Sequence, residues 1–148
     1  MATDSALPRS PGLIRRLAAI FYDLVLLVGL LLFAVTLVVI PHGLMTGAEL
    51  PQEGWPYRLH QLYLLGVTVA FYVYFWTRGG QTLGMRAWRM RLVRDDGRPL
   101  GAADALRRLV WALLTLAPAG LGLLWVLFDR EHLSLYDRLS RTRPVVLA

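Results

Sequence analysis

A chain of 148 residues, 56% apolar and 18% charged, with a mean hydropathy of +0.49, is too greasy for disorder or for an ordinary water-surrounded globule, and its length suits one domain. No cysteine is present, which removes disulfides, thiolate metal sites and cysteine nucleophiles from consideration. The net charge of +6 arises from 16 basic residues, every one an arginine, against 10 acids; this balance suits nucleic acid or an anionic membrane face, and position along the chain must choose.

The first long apolar segment runs over about 17–40 and is interrupted only by Asp23. It is long enough to cross a hydrocarbon layer of roughly 30 Å as a helix. It exceeds the h-region of a signal peptide and no A-x-A site follows Ile40, so cleavage is not expected. The pair Arg15 and Arg16 ahead of it lacks the polar surroundings of a twin-arginine signal and reads as positive flanking charge. A second span is expected over 59–77, with Phe71, Tyr72, Tyr74, Phe75 and Trp76 gathered at its far end as an interfacial aromatic belt. A third apolar segment, 109–128, carries Pro118, Gly120 and Gly122 in its middle and reads as a span or a broken one.

Orientation follows from the arginines. Arg9, Arg15 and Arg16 precede the first span, Arg58 stands alone in the first connection, and the basic loop 78–108 holds eight positions from Arg78 to Arg108. The amino terminus and that loop are therefore expected on the cytoplasmic side of a bacterial inner membrane. A third full crossing would carry Arg130, Arg138, Arg141 and Arg143 outside, against the same bias; a break between Ala117 and Gly122 would return two half-length helices to the inner face. Within the loop, Trp88 to Leu92 alternate in the manner of a strand, Asp95 to Pro99 form a turn, and Asp104 sits in the first turn of a helix leading back to the membrane. The expected fold is an all-α membrane protein: two transmembrane helices, a third Pro/Gly-interrupted segment and interfacial cytoplasmic elements, in a single domain.

Asp23 is the most informative residue. It lies roughly 9 Å inside if the helix enters the hydrocarbon near Leu17. An unpaired carboxylate there costs roughly 2.5 to 3.5 kcal/mol, so it must meet a cation, a donor or a proton. Arg16 shares its helix face but lies about 10.5 Å away along the axis, which makes it a poor partner. Arg86, Arg89 or an arginine of the tail are the candidates, and the sequence leaves the choice open. A fixed buried pair is favoured over a transport carboxyl, because only one acid lies within a span and proton relays use several. Gly79 and Gly80 suit a tight exit turn; the sharper reading is an anion site for lipid phosphate with Arg78 and Arg86, extended by Arg89 and Arg91. The Gly-rich stretch lacks the spacing and lysine of a nucleotide-binding loop. His42, His60, Glu49 and Glu53 have no ligand spacing, and no nucleophile elbow occurs, so neither a metal, a cofactor nor an enzymatic activity is expected. The arginines adjoin membrane segments and alternate with Trp88, Met90 and Leu92, which favours anionic lipid over nucleic acid.

Three stretches carry a resemblance: Arg15 through Asp23 (RRLAAIFYD), Gly79 through Arg86 (GGQTLGMR), and Phe128-Asp129-Arg130 followed by Leu135 through Thr142 (LYDRLSRT). Together they resemble the RDD family, small bacterial integral membrane domains named for an arginine and two aspartates, largely without assigned function and with transport suggested. The resemblance implies that Arg16 or Arg15 is the family arginine, Asp23 the first aspartate and Asp137 or Asp129 the second. Tyr136 stands where the family often has a histidine. Asp137 can reach Arg16 or Arg15 only if the tail lies on the inner face, so contact and topology stand or fall together. Two functions are carried forward: ion- or proton-coupled transport as an oligomer, and a non-catalytic module that binds anionic lipid or a membrane-protein partner.

Overall fold

A computed structural model describes residues 9–118 and 120–147. Among the described residues two helices are long and apolar enough to cross a membrane: α1, Leu13–Thr46, and α2, Gly54–Arg78. Each extends beyond its apolar run, because the flanking Leu13 to Arg16 and the Gly54-Trp-Pro start are themselves compatible with helix. After α2 come the short helix α3, Leu83–Ala87, the strand β1, Met90–Arg94, and the helix α4, Ala102–Leu116. The short α5, Leu121–Leu124, runs on into a 3-10 turn, Trp125–Leu127, and is followed by α6, Leu135–Ser140, and β2, Thr142–Val146. The helical membrane architecture expected from the sequence is present. The strand-like stretch is shifted slightly, to Met90–Arg94, and it has a partner that the sequence did not announce: β2 pairs with it antiparallel, Met90 opposite Val146 and Arg94 opposite Thr142.

The described residues divide into two compact units. One, Leu24–Phe71, holds the middle and end of α1, the connection, and most of α2. Many of its apolar side chains point outward, among them Leu32, Phe33, Leu44 and Leu62, each more than half exposed. Such a surface suits hydrocarbon rather than water. The hydroxyls of Thr36 and Thr68 donate back to the carbonyls of Leu32 and Leu64, so neither needs an external partner.

The other unit joins the residues up to Asp23 to those from Tyr72 onward. Its core has two parts. Ala19, Trp76, Met85, Met90, Leu92, Leu100 and Ala105 form the first, and Leu123, Val126 and Tyr136 the second, against which Leu13, Ile20 and Trp111 pack. The β-ribbon closes the unit: Arg9 O accepts from Val146 N at 3.1 Å, and Arg89 O from Leu147 N at 2.8 Å. Residues near Arg9, Arg89 and Leu147 are thereby held in one body.

This closure bears on the third apolar segment. Both flanks of 109–128 belong to the same unit, and α4 is bent by 102° from the α5 segment. The chain turns back at Pro118 and Gly120; Gly120 takes a φ of 76°, a left-handed conformation open to glycine without strain. Along α4, Leu106, Val110, Leu113 and Leu114 form an exposed stripe, while Ala105, Arg108 and Thr115 are buried on the opposite side. That division is the pattern of a helix with one face in lipid and one on protein.

Single cysteines replacing Arg9, Asp96 and Arg130, introduced into this cysteine-free chain, should all react with a membrane-impermeant maleimide from the same side. Labelling of position 130 from the opposite side would show a third full crossing and dismantle the hairpin.

Candidate functional site

The site is built on the start of α1. Arg16, Ala19 and Asp23 are buried, at spacings of three and four residues, so they form one inward line on the helix. Two carboxylates meet that line, one contributed by α1 itself and one from α6.

Asp137 is fully buried at the first turn of α6. Ser134 caps this helix in the S-x-x-D manner: its hydroxyl accepts from Asp137 N at 3.4 Å, and Asp137 Oδ2 accepts from Ser134 N at 2.9 Å. The same Oδ2 accepts from Arg16 Nη1 at 2.5 Å, and Oδ1 accepts from Arg108 Nη1 at 2.7 Å. Arg16 also donates from Nη1 to Ser134 Oγ at 3.5 Å and to two backbone carbonyls, from Nε to Pro11 O at 3.0 Å and from Nη2 to His132 O at 2.8 Å. Arg108 also donates to Thr142 Oγ1 at 2.7 Å, and its guanidinium lies over the rings of Trp76 at 5.4 Å and Tyr136 at 4.9 Å. Two guanidiniums against one carboxylate leave a buried surplus of positive charge. The carbonyl oxygens at Arg16 and the ring faces at Arg108 offset it. Burial by itself would raise the Asp137 pKa; Arg108 first and Arg16 next overcome it and hold the carboxyl below the ordinary aspartate value. Tyr136 is pushed up, by burial and by the neighbouring Asp137 charge.

Asp23 is held differently. Thr82 Oγ1 donates to its Oδ2 at 2.5 Å and Gly84 N to its Oδ1 at 2.8 Å, while Thr82 Oγ1 accepts from Met85 N as the cap of α3. The backbone of Gly84 lies so close to Ala19 O and to the Asp23 carboxyl that a β-carbon has no room. The expectation of an arginine partner is therefore corrected. Both oxygens are occupied by neutral donors from the 82–84 segment, and Arg86 and Arg89 are exposed. A hydroxyl and an amide can approach in the tight space that glycine leaves, where a guanidinium would not fit.

Of the two arginines considered for the pair with the second aspartate, Arg16 makes it and Arg15 is exposed. Of the two aspartates, Asp137 makes it; Asp129 accepts from Leu133 N at 3.0 Å and from Arg138 Nε at 2.8 Å, capping the turn before α6. Backbone and Arg138 contacts there outweigh desolvation and lower the Asp129 pKa. Gly80 is buried and its N–H donates to Trp76 O at 3.1 Å, so this amide closes the helix end rather than facing outward; Gly79, Arg78, Arg86, Arg89 and Arg91 are exposed. Arg108 was the residue that sequence reasoning missed. Its signal was its place on the small-residue side of α4, with Ala105, Ala112 and Thr115, opposite the leucine stripe.

Breaking a buried pair by removing one partner typically costs about 3 to 5 kcal/mol, because the other charge stays behind. Asp137→Asn should therefore lower the thermal unfolding midpoint of the detergent-solubilised protein markedly, whereas the joint change of Arg16, Asp137 and Arg108 to Met, Leu and Met should recover much of the loss. A midpoint equal to wild type in Asp137→Asn would mean the clamp carries no stability. Since the folded-state pKa of Asp137 is depressed, its contribution is complete above the unfolded value of about 3.9 and fades as pH falls through the folded value. Acid unfolding scans should show a stability loss below about pH 4 that is shallower in Asp137→Asn, the remainder belonging in part to Asp129.

Arg16 paired with Asp137 and Asp23 held by the loop after α2 are the arginine and two aspartates that the resemblance singles out. No curated protein and no solved structure matches the chain. Residues 10–141 match the RDD family, a span that includes Arg16, Asp23, Arg108 and Asp137, and the chain belongs to that family of membrane proteins.

Proposed function

We propose that this chain is a non-catalytic module of the bacterial inner membrane, with its ends and its basic loop on the cytoplasmic side, that gathers anionic lipid headgroups around an exposed arginine face. One observation carries the reading. Arg94, Arg98, Arg107, Arg138 and Arg143 are each paired with an acid of the same unit, but Arg15, Arg78, Arg86, Arg89 and Arg91 have no carboxylate partner among the described residues. Guanidiniums left without an internal carboxylate beside apolar helix surface are suited to lipid phosphates, each contributing about 1 kcal/mol near an anionic surface. The family charges support this reading too, since Arg16 and Asp137 are consumed in fixing the scaffold and neither is free to load a solute.

A second reading, coupled movement of a proton or cation by an oligomer, is favoured by Asp23, which is buried without a cationic partner among the described residues. Proteoliposome flux under an imposed ion gradient decides it: flux that Asp23→Asn abolishes in a folded protein supports transport, and a silent wild type ends it for this chain alone.

In nanodiscs of mixed phosphatidylcholine and phosphatidylglycerol, the lipid retained by the purified protein should be several-fold enriched in phosphatidylglycerol. That enrichment should fall toward unity in high salt and when Arg15, Arg86 and Arg89 are changed to Gln. Retained lipid of the same composition as the bulk would refute the module.

A further inference from the structure

We infer that the cleft between the end of α2 and β1 is a phosphate-binding site, in which Arg78 and Arg91 grip one phosphate group, either of a phospholipid headgroup or of a free phosphate. This rests on the lipid-binding reading and narrows it from a charged face to a defined site.

The cleft has a volume of about 250 Å³ and is bounded on one side by Thr77 to Gly80 and on the other by Arg91 to Val93, with Gly97 and Pro99 at the rim. It exists because Gly80 ends α2 with a φ of 67° and carries no side chain. A β-carbon there would lie 2.5 Å from Leu92 O and 3.3 Å from Arg91 Cγ. Strand β1 can therefore cross directly over the helix end, fixed by Leu92 N donating to Gly80 O at 2.6 Å, and the stem of Arg91 runs across the glycine. From the opposite wall, Arg78 is steadied by stacking over Tyr74 at 5.3 Å.

Charge favours an anion. No lining residue is acidic, and the two aspartates of the neighbouring turn are engaged elsewhere, Asp95 with Arg143 at 3.0 Å and Asp96 with Arg94 at 3.3 Å. A helix C-terminus presents carbonyls, which by themselves repel anions. Here the Gly80 carbonyl is taken by Leu92 N, and two full guanidinium charges exceed the partial charge that remains. Guanidinium forks match phosphate oxygens in pairs, and restraint of Arg78 by Tyr74 reduces the ordering cost of binding. Leu92, Val93 and Pro99 add an apolar wall beside the charge, and the cleft adjoins the aromatic end of a spanning helix, the level at which headgroups lie.

The full-length protein is tested in two arms. In nanodiscs of phosphatidylcholine alone, inorganic phosphate is titrated by calorimetry; in nanodiscs containing phosphatidylglycerol, retained lipid is counted by native mass spectrometry. One saturable equivalent in either arm is expected. It should weaken by about tenfold or more in the Arg78→Gln, Arg91→Gln double variant and hold in Arg9→Gln, Arg130→Gln, two exposed arginines outside the cleft and outside that face. Phosphate binding without retained lipid identifies a free anion, retained lipid without phosphate binding identifies a headgroup, and displacement of the lipid by phosphate shows one shared site. If the double variant fails to unfold cooperatively, Arg78→Lys with Arg91→Lys is read in its place, and binding weaker than wild type supports the paired forks. Wild-type binding in that variant or in the double glutamine variant, or no saturable equivalent in either arm, overturns the site. In that event persisting phosphatidylglycerol enrichment leaves the broader lipid reading intact, and its absence removes both.

Discussion

The carboxylate of Asp137, closed between Arg16 and Arg108, is the contact on which the rest of the structure depends. It joins the first spanning helix to α4 and to the last helix in one place. Each of these elements is short of partners by itself: α6 has six residues, and α4 has a broad face turned outward. A charge cluster in a water-poor interior is a costly way to hold them, and apolar packing of equal volume would often be as stable. What the cluster adds is direction. Arg16 finds full hydrogen bonding only with Pro11 O, His132 O, Ser134 Oγ and Asp137 together, and Arg108 only between two aromatic rings, Thr142 and Asp137. The arrangement therefore admits few alternatives to the observed docking.

The second carboxylate works by the opposite chemistry. Asp23 takes no cation and is instead wrapped by a hydroxyl and an amide supplied by a turn that glycine brings within reach. Thr82 serves two ends at once, capping α3 by accepting from Met85 and tying α1 by donating to Asp23. The Gly-Gly-Gln-Thr-Leu-Gly stretch thus has a mechanical account: Gly80 lets β1 cross the end of α2, Thr82 supplies the hydroxyl, and Gly84 removes the β-carbon that would hold the turn away from α1.

How much of this was legible in the residues depends on the range of the interaction. The spans, the exit turn and the broken third segment are local patterns, and each stands close to where the sequence placed it. Asp23 was marked as needing a partner by the cost of burying charge, yet its donors were not found, because a threonine and an amide carry no charge to point at them. Arg108 was absorbed into a basic loop, since its neighbour Arg107 is half-exposed and nothing adjacent in sequence separates the two. The strand β2 was invisible for a different reason: Thr-Arg-Pro-Val-Val is short, and its pairing partner lies far upstream. Pro144 within it is tolerated because the ribbon has only two strands, leaving an edge where a missing amide is harmless.

The separation between the clamp's partners sets an order of assembly. Arg16 and Asp137 are 121 positions apart. During synthesis the arginine is made and brought to the bilayer long before its aspartate exists. Through that interval its guanidinium must rest among headgroups and water, with the first helix seated shallowly or free to slide along its axis. Formation of α6 draws the arginine inward and arrests that sliding, so the depth of α1 in the bilayer is fixed by residues made 121 positions after its arginine.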